Sequence, residues 1–486
     1  MPATLAEIVA AVDGAAFGGD GSVVAIDATH DSSEVSNGAV FVAIRGSRFD
    51  GHRYLAAAAA AGATAAVVEE TQLSDLPQIV VADSRAAMAP VAREIHGRPD
   101  EDLSILGVTG TNGKTTVAHL CEAVWRHIGR SHGVIGTLGA QIDGDVYSLA
   151  RTTPESSDLQ RLLGIMRDRG VTSVAMEVSS HALELHRADA ISFTAAGFTN
   201  LTQDHLDFHG DMESYFASKT EMFSENRTGL AVINTDDPWG ARLKEMVSVQ
   251  VVTVGLDPSA DISASHVSLT NAGTSFRMTT LDEEVSVVLP LVGRFNVSNA
   301  LVAAGLLLAD GIDLNDIAAG LSTIDGVRGR MEIVPHSGDF TVIVDYAHTP
   351  DAVSAALAAV RDIAQGSVVA LVGAGGDRDA DKRELMGASA SRLADYTIVT
   401  TDNPRSEDPD RIATDVRAGA DLNPRGEVAT ILDRKAAITH AIEMAQPGDI
   451  VMVLGKGHEQ GQEIDGVVLP FDDVDVAGEA LRRRLA

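Results

Sequence analysis

The chain has 486 residues, 45% of them hydrophobic and 22% charged, and 37 Lys and Arg against 69 Asp and Glu give a formal charge of −32. A surface this negative repels nucleic acid and anionic membranes, leaving only local positive pockets for small anions. The composition is that of a globular protein with large cores, and at about 150 residues per domain the length predicts about three domains. The N-terminal segment MPATLAEIVAAVDG lacks a basic start followed by an apolar stretch, and no run approaches a spanning helix, so we expect a soluble cytoplasmic protein. Short β-branched runs alternate with Ala- and Leu-rich helical stretches, the pattern of βα units on mostly parallel sheets. Buried strands are predicted at 40–44, 65–68, 79–81, 104–108, 174–176, 231–233, 341–344, 368–372, 397–400 and 450–454. The Ala-rich tract 55–66 reads as a packed helix. Alternating segments between 251 and 292 read as a small antiparallel sheet. Polar stretches at 96–102 and 325–330 place boundaries that divide the chain into 1–100, 101–329 and 330–486. The single cysteine, Cys121, can form no intrachain disulfide and suits a reducing compartment.

The strongest local signal is SILGVTGTNGKTT over 104–116, a buried strand, a glycine-containing loop and the start of a helix. Gly110 and Gly113 free backbone N–H groups that, with the helix N-terminus, cradle anions. Lys114 is spaced to reach β- and γ-phosphates and Thr115 to ligate magnesium, with Thr111, Asn112 and Thr116 completing the loop. The loop is shorter than the usual G-x-x-x-x-G-K-[ST], since Val108 stands where the first glycine would be. A triphosphate site alone permits a switch, a motor, a kinase or a ligase. Glu177 closes a predicted strand, where a carboxylate faces ligands and takes magnesium. His205 and His209, four apart, would suit zinc on a helix, but the segment is Gly-bounded and Asp-rich with no third ligand, and zinc is rejected.

The segments TGTNGKTT, RTTPES, EVSSHAL, NLTQDHLDFHG, YFASK, GRFNVSNALVA, GRMEIV, VDYAHTPD, GAGGDRDADKR, TDNPRSEDP and GKGHE occur in one order across the chain. In that order and content the chain resembles the Mur ligase family. The resemblance implies an α/β protein of three domains: a UDP-binding N-terminal domain, a central P-loop mononucleotide-binding parallel sheet with a small antiparallel sheet, and a Rossmann-like C-terminal domain. It also implies an ATP- and magnesium-dependent amide-forming ligase of peptidoglycan synthesis, acting as a monomer through an acyl phosphate. Within the family the motifs are most similar to those of the branch that adds meso-diaminopimelate to a UDP-N-acetylmuramoyl-dipeptide. A lysine-adding or folate-polyglutamating ligase, or a nucleotide switch that joins nothing, stands as the alternative.

By the same resemblance, Thr115, Glu177, His205 and a carbamylated Lys219 correspond to magnesium ligands, and Lys114, Glu177, His205 and Lys219 to the catalytic set. Asn296 and Asn299 are placed near adenine, Arg330 near the phosphates, and Asp345, Tyr346 and His348 near the ribose and γ-phosphate. The nucleotide-sugar peptide would meet His30, Ser32, Ser47, Arg48 and Phe49 at its uridine end, and Thr152, Thr153, Ser179, Leu185 and Arg187 at its peptide end. Leu185 departs from the pattern, which has Gln there. The incoming amino acid would meet Arg378, Asp402, Asn403, Pro404, Arg405, Gly455 and Glu459. An arginine can grip the second carboxylate that distinguishes diaminopimelate from lysine, and in lysine-adding relatives the arginine of this motif is replaced.

Overall fold

The computed structural model describes residues 2–46 and 49–485, so Ser47 and Arg48 lie outside the described residues. Three sheets, each with its own helices and apolar cores, follow one another along the chain. The first has five strands in the order Ala16–Phe17, Gln78–Val80, Ala65–Val68, Ala39–Val42 and Asp27–Thr29, parallel except at its first pair. The helix Ser84–Ile95 covers it, capped by Asp83, whose carboxylate accepts from the N–H groups of Arg85 and Ala86. The Ala-rich tract resolves into a short helix, Leu55–Ala60, and the strand Ala65–Val68, because Gly62 at φ +95 ends the helix between them.

The central sheet has eleven strands. Its parallel core runs His132–Gly136, Ser173–Glu177, Ser104–Thr109, Ala195–Phe198, Leu230–Asn234, Gln250–Gly255. Buried on both faces, these strands carry the continuous apolar runs expected of such sheets. The helices Lys114–His127 and Arg294–Ala309 cover one face, and Ser156–Asp168 and Met212–Thr220 the other. The antiparallel segment expected near 251–292 is present as Ile262–Thr270, Gly273–Thr279 and Glu284–Leu289. It extends the central sheet, joined through the pairs Val254↔Ile262 and Gly255↔Ser263.

The third sheet has six strands in the order Glu332–Ile333, Thr341–Asp345, Ile450–Leu454, Val368–Val372, Tyr396–Val399, Glu427–Thr430, all parallel but the first. Helices lie on both faces, the Rossmann-like arrangement. No helix among the described residues is long and apolar enough to cross a membrane.

Candidate active site

Ser104–Thr109 sits between Ser173–Glu177 and Ala195–Phe198, where the strand order reverses, and ligands bind at the carboxyl ends of such strands. Gly110 at φ +143 and Gly113 at φ +91 turn the chain from this strand into the helix Lys114–His127. A Cβ on Gly110 would collide with Thr199 Oγ1, and one on Gly113 with Asn299 Oδ1, so both positions require glycine twice over. The loop is pinned from the neighbouring strand end, Thr111 N donating to Asn200 O (2.9 Å) and Asn112 N to Asn200 Oδ1 (3.0 Å). Lys114 Nζ donates to the carbonyls of Gly110 (2.8 Å) and Thr111 (2.9 Å), which holds the ammonium over the loop. Burial lowers its pKa, opposed by Glu177 and Asp204. Thr115 and Thr116 are buried in the first helical turn.

Glu177, buried at the end of its strand, is the hub of this end of the sheet. It accepts from Thr115 Oγ1 (3.0 Å), from Thr137 N (2.8 Å) and from Thr137 Oγ1 (3.0 Å). Arg330, from the connection into the third sheet, donates to Thr115 Oγ1 at 3.2 Å. Lys219 is buried and donates to the same Gly110 carbonyl as Lys114, at 2.9 Å, with its ammonium 4.7 Å from the centre of the Tyr215 ring. Burial drives its pKa well below the usual lysine value, the charge of Lys114 adds to that, and Asp204 opposes it.

His205 takes a left-handed backbone, φ +55, and its Nε2 lies 3.3 Å from Asp204 Oδ2. Burial pushes its pKa down to about 3 against the pull of Asp204. His209 lies beside it with its pKa lowered to about 4 by burial, its Nε2 2.9 Å from Ser180 Oγ. Among the described residues no group of three or more His, Cys, Asp and Glu side chains converges as a metal cage. The oxygen donors Thr115 and Glu177 suit a hard cation of the kind that takes one or two protein oxygens together with phosphate and water.

The third domain supplies the opposite wall. Asp345 ends the strand Thr341–Asp345 and accepts from Met331 N (2.7 Å) and Ala347 N (2.8 Å), and burial raises its pKa. The guanidinium of Arg330 lies 4.5 Å from the centre of the Tyr346 ring, whose hydroxyl burial pushes up to about 12. His348 Nε2 lies 3.8 Å and Lys382 Nζ 3.7 Å from Asp204, a carboxylate of the central domain. Burial raises the pKa of Asp204, but the His348 contact, His205 and Lys382 outweigh it and hold the carboxylate well below its ordinary range. Asn296 and Asn299 are linked, Asn299 Nδ2 donating to Asn296 Oδ1 at 3.0 Å. Apart from Lys382, these groups line a cavity of about 470 Å³, with Leu291, Phe295, Ala352 and Ala355 forming an apolar side and Lys114 and Arg330 a cationic one.

Thr152, its Oγ1 3.2 Å from Thr137 Oγ1, also lines this cavity, as does Ser179. Thr153 is turned inward, its hydroxyl donating to Glu177 O at 2.9 Å. Ser179 caps the helix Ser180–Glu184, which ends at the half-buried Leu185. Arg187 Nε donates to Glu155 Oε1 (3.0 Å), and the same buried carboxylate takes Arg151 (2.8 Å) and, from the first domain, Arg85 (3.4 Å). Further off, Phe49 is 71% exposed, Ser32 is half-buried, and the buried His30 Nδ1 has no hydrogen-bond partner among the described residues.

A second cluster stands at the carboxyl ends of the third sheet. Asn403 Nδ2 donates to Glu459 Oε2 at 2.7 Å, and Asp402 lies against Gly455, where a Cβ would come 2.7 Å from its Oδ2. Arg405, left-handed at φ +51, is held through its backbone, its N–H donating to Glu463 O (3.0 Å) and its carbonyl accepting from Asp465 N (2.7 Å). Its guanidinium donates to Gly376 O at 2.6 Å and pairs with Glu463 at 3.5 Å, with Pro404 preceding it and Arg378 on the adjacent loop. Sequence reasoning missed Asp204, Thr137, Lys382 and Lys456. Asp204, Lys382 and Lys456 lie inside quoted motifs, but nothing in the string marks which members of a motif face a partner in another segment.

Three Mur ligase family models match the chain: the family's catalytic domain at 28–97, the middle domain at 108–307 and the glutamate ligase domain at 329–457. The chain is 45% identical over 474 residues, 96% of both chains, to UDP-N-acetylmuramoyl-L-alanyl-D-glutamate--2,6-diaminopimelate ligase of Geobacillus kaustophilus. It is 44% identical to the protein of the same name from Streptomyces coelicolor, over 96% of this chain and 94% of that one. A solved structure of that name superposes with a TM-score of 0.72 at 32% identity, covering 100% of both chains. With a P-loop site faced by a third-domain wall and relatives this similar along its whole length, the chain belongs to the Mur ligase family.

Proposed function

We propose that this chain joins meso-diaminopimelate to the D-glutamyl carboxylate of UDP-N-acetylmuramoyl-L-alanyl-D-glutamate, with ATP converting that carboxylate to an acyl phosphate. Phosphorylating a carboxylate brings two anions together, so the site must neutralise charge while holding the reactants in line. Lys114 and Arg330, together on the cationic side of one cavity, meet that demand. The apolar side at Phe295 and Ala352 takes adenine beside Asn296 and Asn299, and Asp345, Tyr346 and His348 border the ribose and γ-phosphate. Magnesium bound at Thr115 and Glu177 supplies further neutralisation of the phosphates.

Lys219 is proposed to be carbamylated, with His205 beside it as a further magnesium contact. Its depressed pKa favours the neutral amine, the form that adds carbon dioxide, and an anionic carbamate beside Lys114 relieves the clash of two cations on one carbonyl. The uridine end of the substrate is assigned to His30, Ser32 and Phe49 with Ser47 and Arg48, and the peptide end to Thr152, Ser179 and Arg187, with Thr153 supporting Glu177 and Leu185 in the wall.

The observation that carries the choice of amino acid is the cluster of Arg405, Asn403, Asp402 and Glu459 at the strand ends beside Gly455 and Arg378. Arg405 meets a distal carboxylate and Glu459 the adjacent ammonium. The protein incubated with ATP, magnesium and the UDP-dipeptide should release phosphate and yield a tripeptide of matching mass with meso-diaminopimelate, and not with L-lysine. Lysine incorporation would overturn the reading of Arg405, and phosphate release independent of any amine would overturn the ligase.

A further inference from the structure

Beneath the amino-acid cluster lies a layer of buried charge. Lys456 is fully buried, and its Nζ donates to Asn403 Oδ1 (2.9 Å) and Glu459 Oε2 (3.0 Å), with Asp402 Oδ1 at 3.7 Å. The three hydrogens of one ammonium are thereby aimed at three residues of the cluster. Asn403 Oδ1 also accepts from Glu463 N at 3.0 Å, which fixes the amide so that its NH₂ faces Glu459. Glu459 Oε2 therefore takes two donors, while Oε1 has no hydrogen-bond partner among the described residues and remains open to a ligand.

One layer deeper, Arg434 and Asp473 form a fully buried ion pair at 2.6 Å. The Arg434 guanidinium also donates to Leu454 O (3.0 Å) and Thr401 O (3.5 Å), the residues immediately before Gly455 and Asp402. It ties together the two strand ends from which the cluster springs. Lys456 and Arg434 face three carboxylates, Asp402, Glu459 and Asp473, leaving one negative charge in excess. Of the three, Glu459 is partly exposed, so the excess is presented at the open side of the cluster, where an incoming ammonium balances it.

Resting on the reading of this cluster as the amino-acid site, we infer that Lys456 is a positioning residue for the incoming amino acid. It orients Asn403 and Glu459 so that one carboxylate oxygen is presented to the substrate ammonium, and it sets the charge excess at one. It does not line the cavity assigned to ATP, so its effect is expected on one substrate alone.

The test is steady-state kinetics of Lys456→Met, Glu459→Gln and the double variant, with each substrate varied in turn. Lys456→Met should raise the KM for meso-diaminopimelate by about tenfold or more, with the KM values for ATP and the UDP-dipeptide within about twofold of the parent. In the Glu459→Gln background the same substitution should add less than about threefold, because Lys456 acts through that carboxylate. An unchanged KM for diaminopimelate, or equal factors in both backgrounds, overturns the inference. Should Lys456→Met fail to fold, Asn403→Leu removes the amide between Lys456 and Glu459. It should give the same selective, non-additive rise, and an unchanged KM there overturns the inference equally. A parent enzyme that forms no tripeptide with meso-diaminopimelate defeats the proposed function itself, and this inference with it. An active parent with unaffected variants defeats this inference alone.

Discussion

Each candidate side chain in the site has an assigned task that one substitution can remove. Lys114 is the cation of the phosphate loop, and Lys114→Ala should lower ATP-driven phosphate release by about 10²–10³-fold, the scale of losing one preorganised electrostatic group, with an unchanged melt. Arg405 is proposed to act on a different substrate. Arg405→Ala should spare the KM for ATP and raise that for diaminopimelate about tenfold or more, as expected for a lost charge-assisted contact. The histidines give a pH signature. His205, His209 and His458, the last with its ring 4.8 Å from that of Tyr346, are pushed by burial to about 3, 4 and 3 and are neutral in the fold, whereas the unfolded chain protonates them near 6.5. Between those values the unfolded state binds more protons, so their contribution is complete above pH 6.5 and is lost as pH falls toward 4 and 3. The melting temperature should therefore fall already between pH 6.5 and about 5, above the carboxylate range, and His458→Gln should flatten that slope. A slope unchanged in His458→Gln would contradict the assignment.

At the scale of elements, the site is the set of carboxyl ends of two parallel sheets, and the glycines there do work no other residue can. Gly113→Ala places a Cβ against Asn299 at φ +91 and should cost about 1–2 kcal/mol in backbone strain alone. It should also abolish ADP binding by calorimetry. Parallel strands such as Ser104–Thr109 and Ile450–Leu454 were legible as strings because burial on both faces demands unbroken apolar runs. The edge strand Asp145–Tyr147 was not, since it is short and exposed along its length and carries no such run. Alternation betrayed the antiparallel strands near 262–289, yet their attachment to the central sheet rests on two residue pairs that no local pattern encodes. In the site, groups adjacent in sequence to a strand end, such as Glu177 and Asp402, could be read from position. Asp204 and Lys456 could not, because their partners come from distant segments.

At the scale of the whole molecule, the cavity lined by Lys114 and Arg330 exists only because the third domain lies against the second. Two contacts make that junction chemical. Arg330 reaches Thr115, and Asp204 faces both His348 and Lys382. These contacts join the central and third domains across the cavity, so a change in the domain arrangement would disturb the site with it. Asp204→Asn removes the charge that His348 and Lys382 share. It should raise the KM for ATP about tenfold and give a larger radius of gyration by small-angle scattering with nucleotide bound, and an unchanged radius would contradict a role of Asp204 in holding the two domains together. The first domain is tied on separately, through Arg85 to Glu155 and Arg161 to Asp27, so the same variant should leave binding of the UDP end intact.

Activation of a carboxylate by ATP is the step on which the proposed reaction turns. It is tested most directly by following oxygen from a UDP-dipeptide whose D-glutamyl side-chain carboxylate carries ¹⁸O in both positions. If an acyl phosphate forms and the amine displaces phosphate from it, each turnover transfers one ¹⁸O to inorganic phosphate and leaves the other in the new amide. Phosphate released without label while tripeptide accumulates would contradict the account.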